Sequence, residues 1–259
     1  MSIEALPFVN WIFWTALSAG SLLVVGLTEL LGGTTRGYRL FMASLVAVFA
    51  GVLVLSELQL TPGTFADETS ELRRALVWTF AALAVAYLVA SLARLPRAGL
   101  AVAGGLVGIA ALATLASAGG TLSAPLFTAQ LILAALALGA VNAAMLLGHW
   151  YLVTPKLSPA PLRRMMWLLI GALALQWIAF GVAVVVVSSD PLGGPIGWLT
   201  WLRLAVGIVL PIGITVLAIL ASRATSLQAS TGLLYVGLAL VMAGSIAAAS
   251  ITYLTGVPV

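Results

Sequence analysis

Residues 8–31 read FVNWIFWTALSAGSLLVVGLTELL, and this stretch decides the fold class. It is an apolar run of 24 residues carrying Glu29 as its one charge. A helix of about 20 such residues crosses the hydrocarbon core of a bilayer. Gly32-Gly33 follows, where a helix can stop. The run lacks a basic lead-in and a clear small-residue cleavage site, so it is expected to stay as a retained helix and not to act as a signal peptide.

Seven further stretches repeat the pattern: Tyr38–Leu60, Ala75–Leu95, Ala98–Ala118, Leu126–Val153, Leu162–Ser188, Trp198–Ala221 and Ser226–Leu254. Turn-forming residues separate them at Pro62-Gly63, Pro96, Gly119-Gly120, Pro155 with Pro159 and Pro161, and Asp190 to Pro195. The last break, Ser222 to Thr225, is polar but has neither Gly nor Pro, and is the least clearly marked. No loop is long enough for a soluble domain. The expected fold is all-α: a polytopic integral membrane protein formed as one domain over residues 1–259, a bundle of about eight transmembrane helices. No internal repeat is evident, although the length suits a four-plus-four division.

Composition agrees. The chain is 63% hydrophobic and 7% charged, whereas soluble domains carry roughly 25% charge, so lipid is the solvent that fits its surface. The net charge of +4 comes from basic residues in short loops, which is what membrane orientation requires. No basic stripe with interleaved aromatics exists, so nucleic acid is not an expected partner. The absence of cysteine excludes disulfides, thiolate metal sites, iron–sulfur ligation and cysteine nucleophiles.

Charge placement sets an orientation. Arg36, Arg39, Arg94, Arg97, Lys156, Arg163, Arg164 and Arg223 fall in the odd-numbered connections. Asp67, Glu68, Glu71 and Asp190 fall in the even ones, with Arg73 and Arg74 as the basic exceptions. The positive-inside rule then makes the odd loops cytoplasmic and puts both termini outside, in the inner (plasma) membrane of the cell. Trp11, Trp14, Trp198 and Trp201 read as an outer aromatic belt. Gly104-Gly105 and Gly108 permit close helix packing.

Intramembrane polar groups are costly and therefore the first candidates for function. Glu57 and Arg203 fall at similar outer depth and can pair, with Asn10, Gln130, Trp11, Trp14 and Trp201 near that level. A carboxylate, amides and aromatics at this depth suit a quinone headgroup, which needs hydrogen-bond donors, a proton route and lipid-like walls. A structural ion pair among interfacial anchors uses the same residues.

The string Gly148 to Lys156 holds the chain's only histidine and only lysine. Helical spacing sets Asn142, Met145 and His149 on one face. His149 suits a proton relay, a quinone ligand, an axial haem ligand or an interfacial hydrogen bond. One histidine cannot give bis-histidine ligation, so no haem is expected from this chain alone. Gln228, Thr231 and Tyr235 share a face of the last helix and, with Glu29 and His149, form a candidate inner polar cluster. Asn142 and Gln176 fall near mid-membrane. The chain has no Walker A string, HExxH, Gly-x-Ser-x-Gly elbow or aspartate cluster, and no mid-helix lysine for retinal.

Trp14 with Ser18-Ala19-Gly20-Ser21, then Glu29-Leu30-Leu31-Gly32-Gly33, then Leu55-Ser56-Glu57-Leu58, resemble the first two helices of the NrfD-like family. These are the membrane subunits of polysulfide reductase and related complexes. The resemblance implies eight helices, a quinone near the outer face and electron exchange with an iron–sulfur or cytochrome partner subunit. It implies that Glu57 is the acidic quinone-site residue and Asn10 its polar partner on the first helix. Helix 1 here has no histidine, and helix 2 ends Glu57-Leu58-Gln59 where that family has aspartate-leucine-glycine.

The leading expectation is thus a quinone-interacting anchor subunit of a respiratory-type redox complex. Glu57 would exchange the proton, with Arg203 setting its charge and Asn10 binding a carbonyl. Glu29 and His149 would serve an inner proton path. A secondary transporter or channel is the second expectation, with Gly207 to Gly213 as its helix break. A ligand-free assembly subunit is the third, and it expects polar groups that satisfy one another around no cavity.

Overall fold

The computed structural model describes residues 5–60, 64, 67–116, 123–154 and 157–258. The turns expected at Pro62-Gly63, Gly119-Gly120 and Pro155-Lys156 lie outside the described residues. Regular structure among the described residues is entirely helical: α1 (Ala5–Leu31), α2 (Arg36–Leu58), α3 (Ser70–Leu92), α4 (Ala98–Ala113), α5 (Ser123–Val153), α6 (Ala160–Val182), α7 (Gly197–Leu204), α8 (Leu210–Arg223) and α9 (Leu227–Thr255).

Chain breaks follow local chemistry. Gly32 and Gly33 take positive φ (72° and 94°) after α1, a region closed to most side chains. Thr35 then caps α2 by accepting the Tyr38 N–H at 3.3 Å. The α8–α9 break, unmarked by Gly or Pro, is made by Thr225 at φ 62°, a rare conformation for a β-branched residue. α7 and α8 form one rod. Pro211 in the first turn of α8 has no N–H to give the preceding turn, and the π turn Ala205–Val209 sits there. The break expected between Gly207 and Gly213 is therefore a widened turn in a continuous span.

Among the described residues, seven spans are long and apolar enough to cross a membrane, with α6 counted through Val187 and α7–α8 counted together. The expected fourth crossing is shorter than its sequence suggests. α4 has 16 residues, about 24 Å of rise against a core of roughly 30 Å. Its glycines explain this in part, because each weakens the helix while serving close approach to α1. A side chain at Gly104, Gly105 or Gly108 would meet Leu22, Leu23 or Ala19.

The spans form two rings of four. α1, α2, α3 and α4 pack in cyclic order, and α5, α6, α7–α8 and α9 form the second ring. α1 and α5 join the rings, which fits the four-plus-four division. They are also the most enclosed, with 83% and 72% of their apolar windows buried against 33 to 44% for the other long spans. Where they cross, Gly20 and Gly139 meet backbone to backbone, and a Cβ on either would overlap the other helix. Asn142 ties the same crossing by donating to Ser21 Oγ at 2.9 Å. The outward faces are apolar, as at Ile178, Val185 and Leu217, so lipid contact completes their burial.

Candidate functional site

Two polar centres lie at the end of the bundle where α1 begins. In the first, α1 and α2 present matched neighbours. Asn10 Nδ2 donates to Ser56 Oγ at 2.9 Å, and Trp11 Nε1 donates to Glu57 at 2.6 Å. Both pairs are consecutive on both helices, so one contact register sets them together. Ser56 passes its own proton to the Val52 carbonyl at 2.9 Å. Arg73, from the first turn of α3, reaches Glu57 through Nε and Nη2 at 3.3 Å. Its guanidinium carbon lies 6.0 Å from the centre of the Trp11 ring, within cation–π range. Glu57, Arg73 and Trp11 are all buried.

This arrangement corrects two expectations. The partner of Glu57 is Arg73 and not Arg203, and Trp11 is a fully buried ligand of Glu57 and not a belt residue. Trp198 and Trp201 do lie exposed, as a belt requires. Depth alone suggested Arg203. The better signal was Arg73 as a basic exception in an otherwise acidic connection, because helices joined by a short connection are usually neighbours.

Beside this centre runs a cleft of about 500 Å³ between α1, α2 and α9. Asn10, Ser56 and Gln59 give it a polar strip, and Leu6, Val9, Phe13 and Ile246 give apolar walls. Trp14 is not part of the strip. It packs half-buried on Phe49, with ring centres 5.6 Å apart.

The second centre belongs to α5, α6, α7 and α9. Arg203 donates from Nη2 to Gln176 Oε1 at 3.0 Å. Gln130 does not join Asn10 but lines a separate small cavity with Arg203, Ile12 and Phe13. Phe13 borders both this cavity and the cleft.

At the opposite end Glu29 is held by Arg97 (2.9 Å) and Arg39 (3.6 Å) and accepts the Tyr87 hydroxyl at 3.2 Å. His149 stands apart on the exposed face of α5, where it shares a hydrogen bond with the Tyr235 hydroxyl at 3.2 Å. Tyr235 belongs with His149 as expected, but Glu29 binds an arginine pair, so the expected single inner cluster is two. Met145 and Asn142 are buried on the turns beyond His149, and Lys156 lies outside the described residues. Among the described residues no three His, Cys, Asp or Glu side chains group to hold a metal.

Comparisons with protein-family models, curated proteins and solved structures find no match. The reading of function therefore rests on these side chains.

Proposed function

We propose that this chain is a quinone-interacting, non-haem membrane subunit of a respiratory-type redox complex, with its headgroup site in the Asn10–Ser56–Gln59 cleft. The cleft carries the proposal: it is large enough for a ring, apolar on its long walls and polar along one strip. After its bond to Ser56 the Asn10 amide keeps a second N–H and its oxygen. It can therefore donate to a quinone carbonyl and accept from a quinol hydroxyl. Glu57 stands directly behind this strip as the buried acid, paired with Arg73 in the role first given to Arg203. Electrons come from an iron–sulfur or cytochrome partner, since the chain has no cysteine and one histidine.

The membrane is the inner (plasma) membrane and both termini face outside, which puts the cleft at the outer surface. The positive-inside distribution supports that orientation. An assembly role without ligand agrees less well with a cleft of this size. Transport draws on one observation, the π turn beside Arg203, and predicts that substitution of Asn10 changes nothing.

The test is organic extraction and mass spectrometry on protein purified in mild detergent, compared with Asn10→Leu and Glu57→Gln. Stoichiometric quinone that falls at least tenfold in Asn10→Leu supports the proposal. Quinone absent from the wild-type chain, or retained in full by Asn10→Leu, overturns it.

A further inference from the structure

Arg203 is 2% exposed, and its one described hydrogen bond goes to a neutral amide. Its Nε is buried and finds no partner among the described residues. The salt bridges among the described residues join Glu29 and Glu57 to Arg39, Arg73 and Arg97, and none includes Arg203. A guanidinium keeps its proton at any ordinary pH, so a positive charge stands inside the bundle without a contacting countercharge.

Gln130 shares the same surroundings. It is buried, and both its amide oxygen and nitrogen lack a hydrogen-bond partner among the described residues. The two side chains line one cavity of about 30 Å³, with Ser245 and Thr252 also on its wall. Those two hydroxyls already donate to the Val241 and Ala248 carbonyls, at 2.8 and 3.0 Å. The buried donors without a partner among the described residues therefore include the Arg203 Nε–H and the Gln130 amide N–H groups. The rest of the wall is hydrocarbon, including Phe13 and Leu131, which strengthens any charge interaction within it.

Size narrows the occupant. A water needs at least about 10–15 Å³ of such space, so this cavity holds one or two particles of that scale and excludes a phosphate or a quinone ring. A water would satisfy the donors but leave the charge uncompensated. A halide accepts from the donors and compensates the charge, and leaves only the Gln130 carbonyl oxygen unpartnered. We infer that the cavity between α1, α5, α7 and α9 is a binding site for one chloride-sized monovalent anion, held by Arg203 and Gln130. Gly207 permits the geometry, since a Cβ there would lie 3.3 Å from Arg203 Nη1 and 2.5 Å from the Gly244 Cα. The anion site is independent of the quinone reading and shares none of its polar residues.

The experiment is thermal unfolding of the purified full chain in detergent, in sodium chloride and in sodium gluconate at equal ionic strength, with radiolabelled-chloride binding by equilibrium dialysis. Occupancy of a native-state site raises the midpoint by mass action. The expected rise is about 5 °C at saturating chloride, reproduced by bromide. Bound chloride should approach one per chain. Arg203→Met should lose both effects and unfold in gluconate no earlier than the wild type. Should that variant not fold, Gln130→Leu keeps the charge and is expected to weaken chloride binding at least tenfold. Equal midpoints in the two salts, with no bound chloride, mean that the cavity holds water only and overturn the inference. A chloride effect that persists undiminished in Arg203→Met or Gln130→Leu places the ion elsewhere and overturns it too.

Discussion

Arg73 and Arg203 are buried to a similar degree in the two rings, yet their surroundings have little in common. Arg73 faces a carboxylate through two nitrogens and lies over an indole. Arg203 faces an amide, a second unpartnered amide and a small cavity. A buried pair recovers part of its desolvation through attraction, and losing one member strands the other. A buried charge with only neutral neighbours has no such dependence on a protein partner. The first ring has closed its electrostatics within the chain, and the second has left them open to something from outside it.

Substitutions should separate the two centres, the largest effect first. Glu57→Ala removes the carboxylate that both Arg73 and the Trp11 N–H bond, and should cost about 3–5 kcal/mol in denaturant unfolding in detergent. The double variant Glu57→Leu with Arg73→Met should recover most of that loss. If Glu57→Ala is as stable as the wild type, the closed centre is not closed. Trp11→Phe keeps the ion pair and removes one charge-assisted bond, so about 1.5–3 kcal/mol is expected in the same assay. Arg203→Met, measured without halide, should change stability by less than about 1 kcal/mol or raise it, because no buried anion is left behind. A loss comparable to that of Glu57→Ala would erase the contrast between the rings. His149→Ala, at an exposed pair distant from both centres, should stay within about 0.5 kcal/mol.

Orientation can be measured against a clean background, since the chain has no cysteine. With an impermeant thiol reagent on intact cells, a single cysteine at Thr255 should react, and one at Ser226 should react only after the cells are opened. Labelling of both from one side would remove the outer placement of the two arginine centres.

The spans were legible because hydropathy and turn chemistry act locally. Gly32-Gly33 and Thr35 mark their own break. α4 was overestimated because its glycines are apolar enough to count within a span but are weak helix formers. The polar residues of the site were legible as a set but not as pairs. In a membrane both the packed and the lipid-facing sides of a helix are apolar, so the pattern gives depth without azimuth. Glu57 and Arg203 share a level, and only the ring arrangement shows that they belong to different circuits. Similarly, Gln130 could be placed beside Asn10 by depth, whereas Phe13 stands between their two cavities. Thr225 was hidden for another reason: its left-handed turn uses a residue that ordinarily avoids that conformation.

The contact of Gly20 with Gly139 has a mechanical consequence. Hydrocarbon side chains between two helices act as padding and absorb small displacements, but here the rods touch without padding. That crossing has the geometry of a pivot, and the cavity lined by Ala16, Leu131 and Leu138 lies along the same two rods. A rotation of one ring on the other by a few degrees about that contact would open or pinch the space beside Arg203, so the smallest residues in the bundle bear on the space around a buried charge.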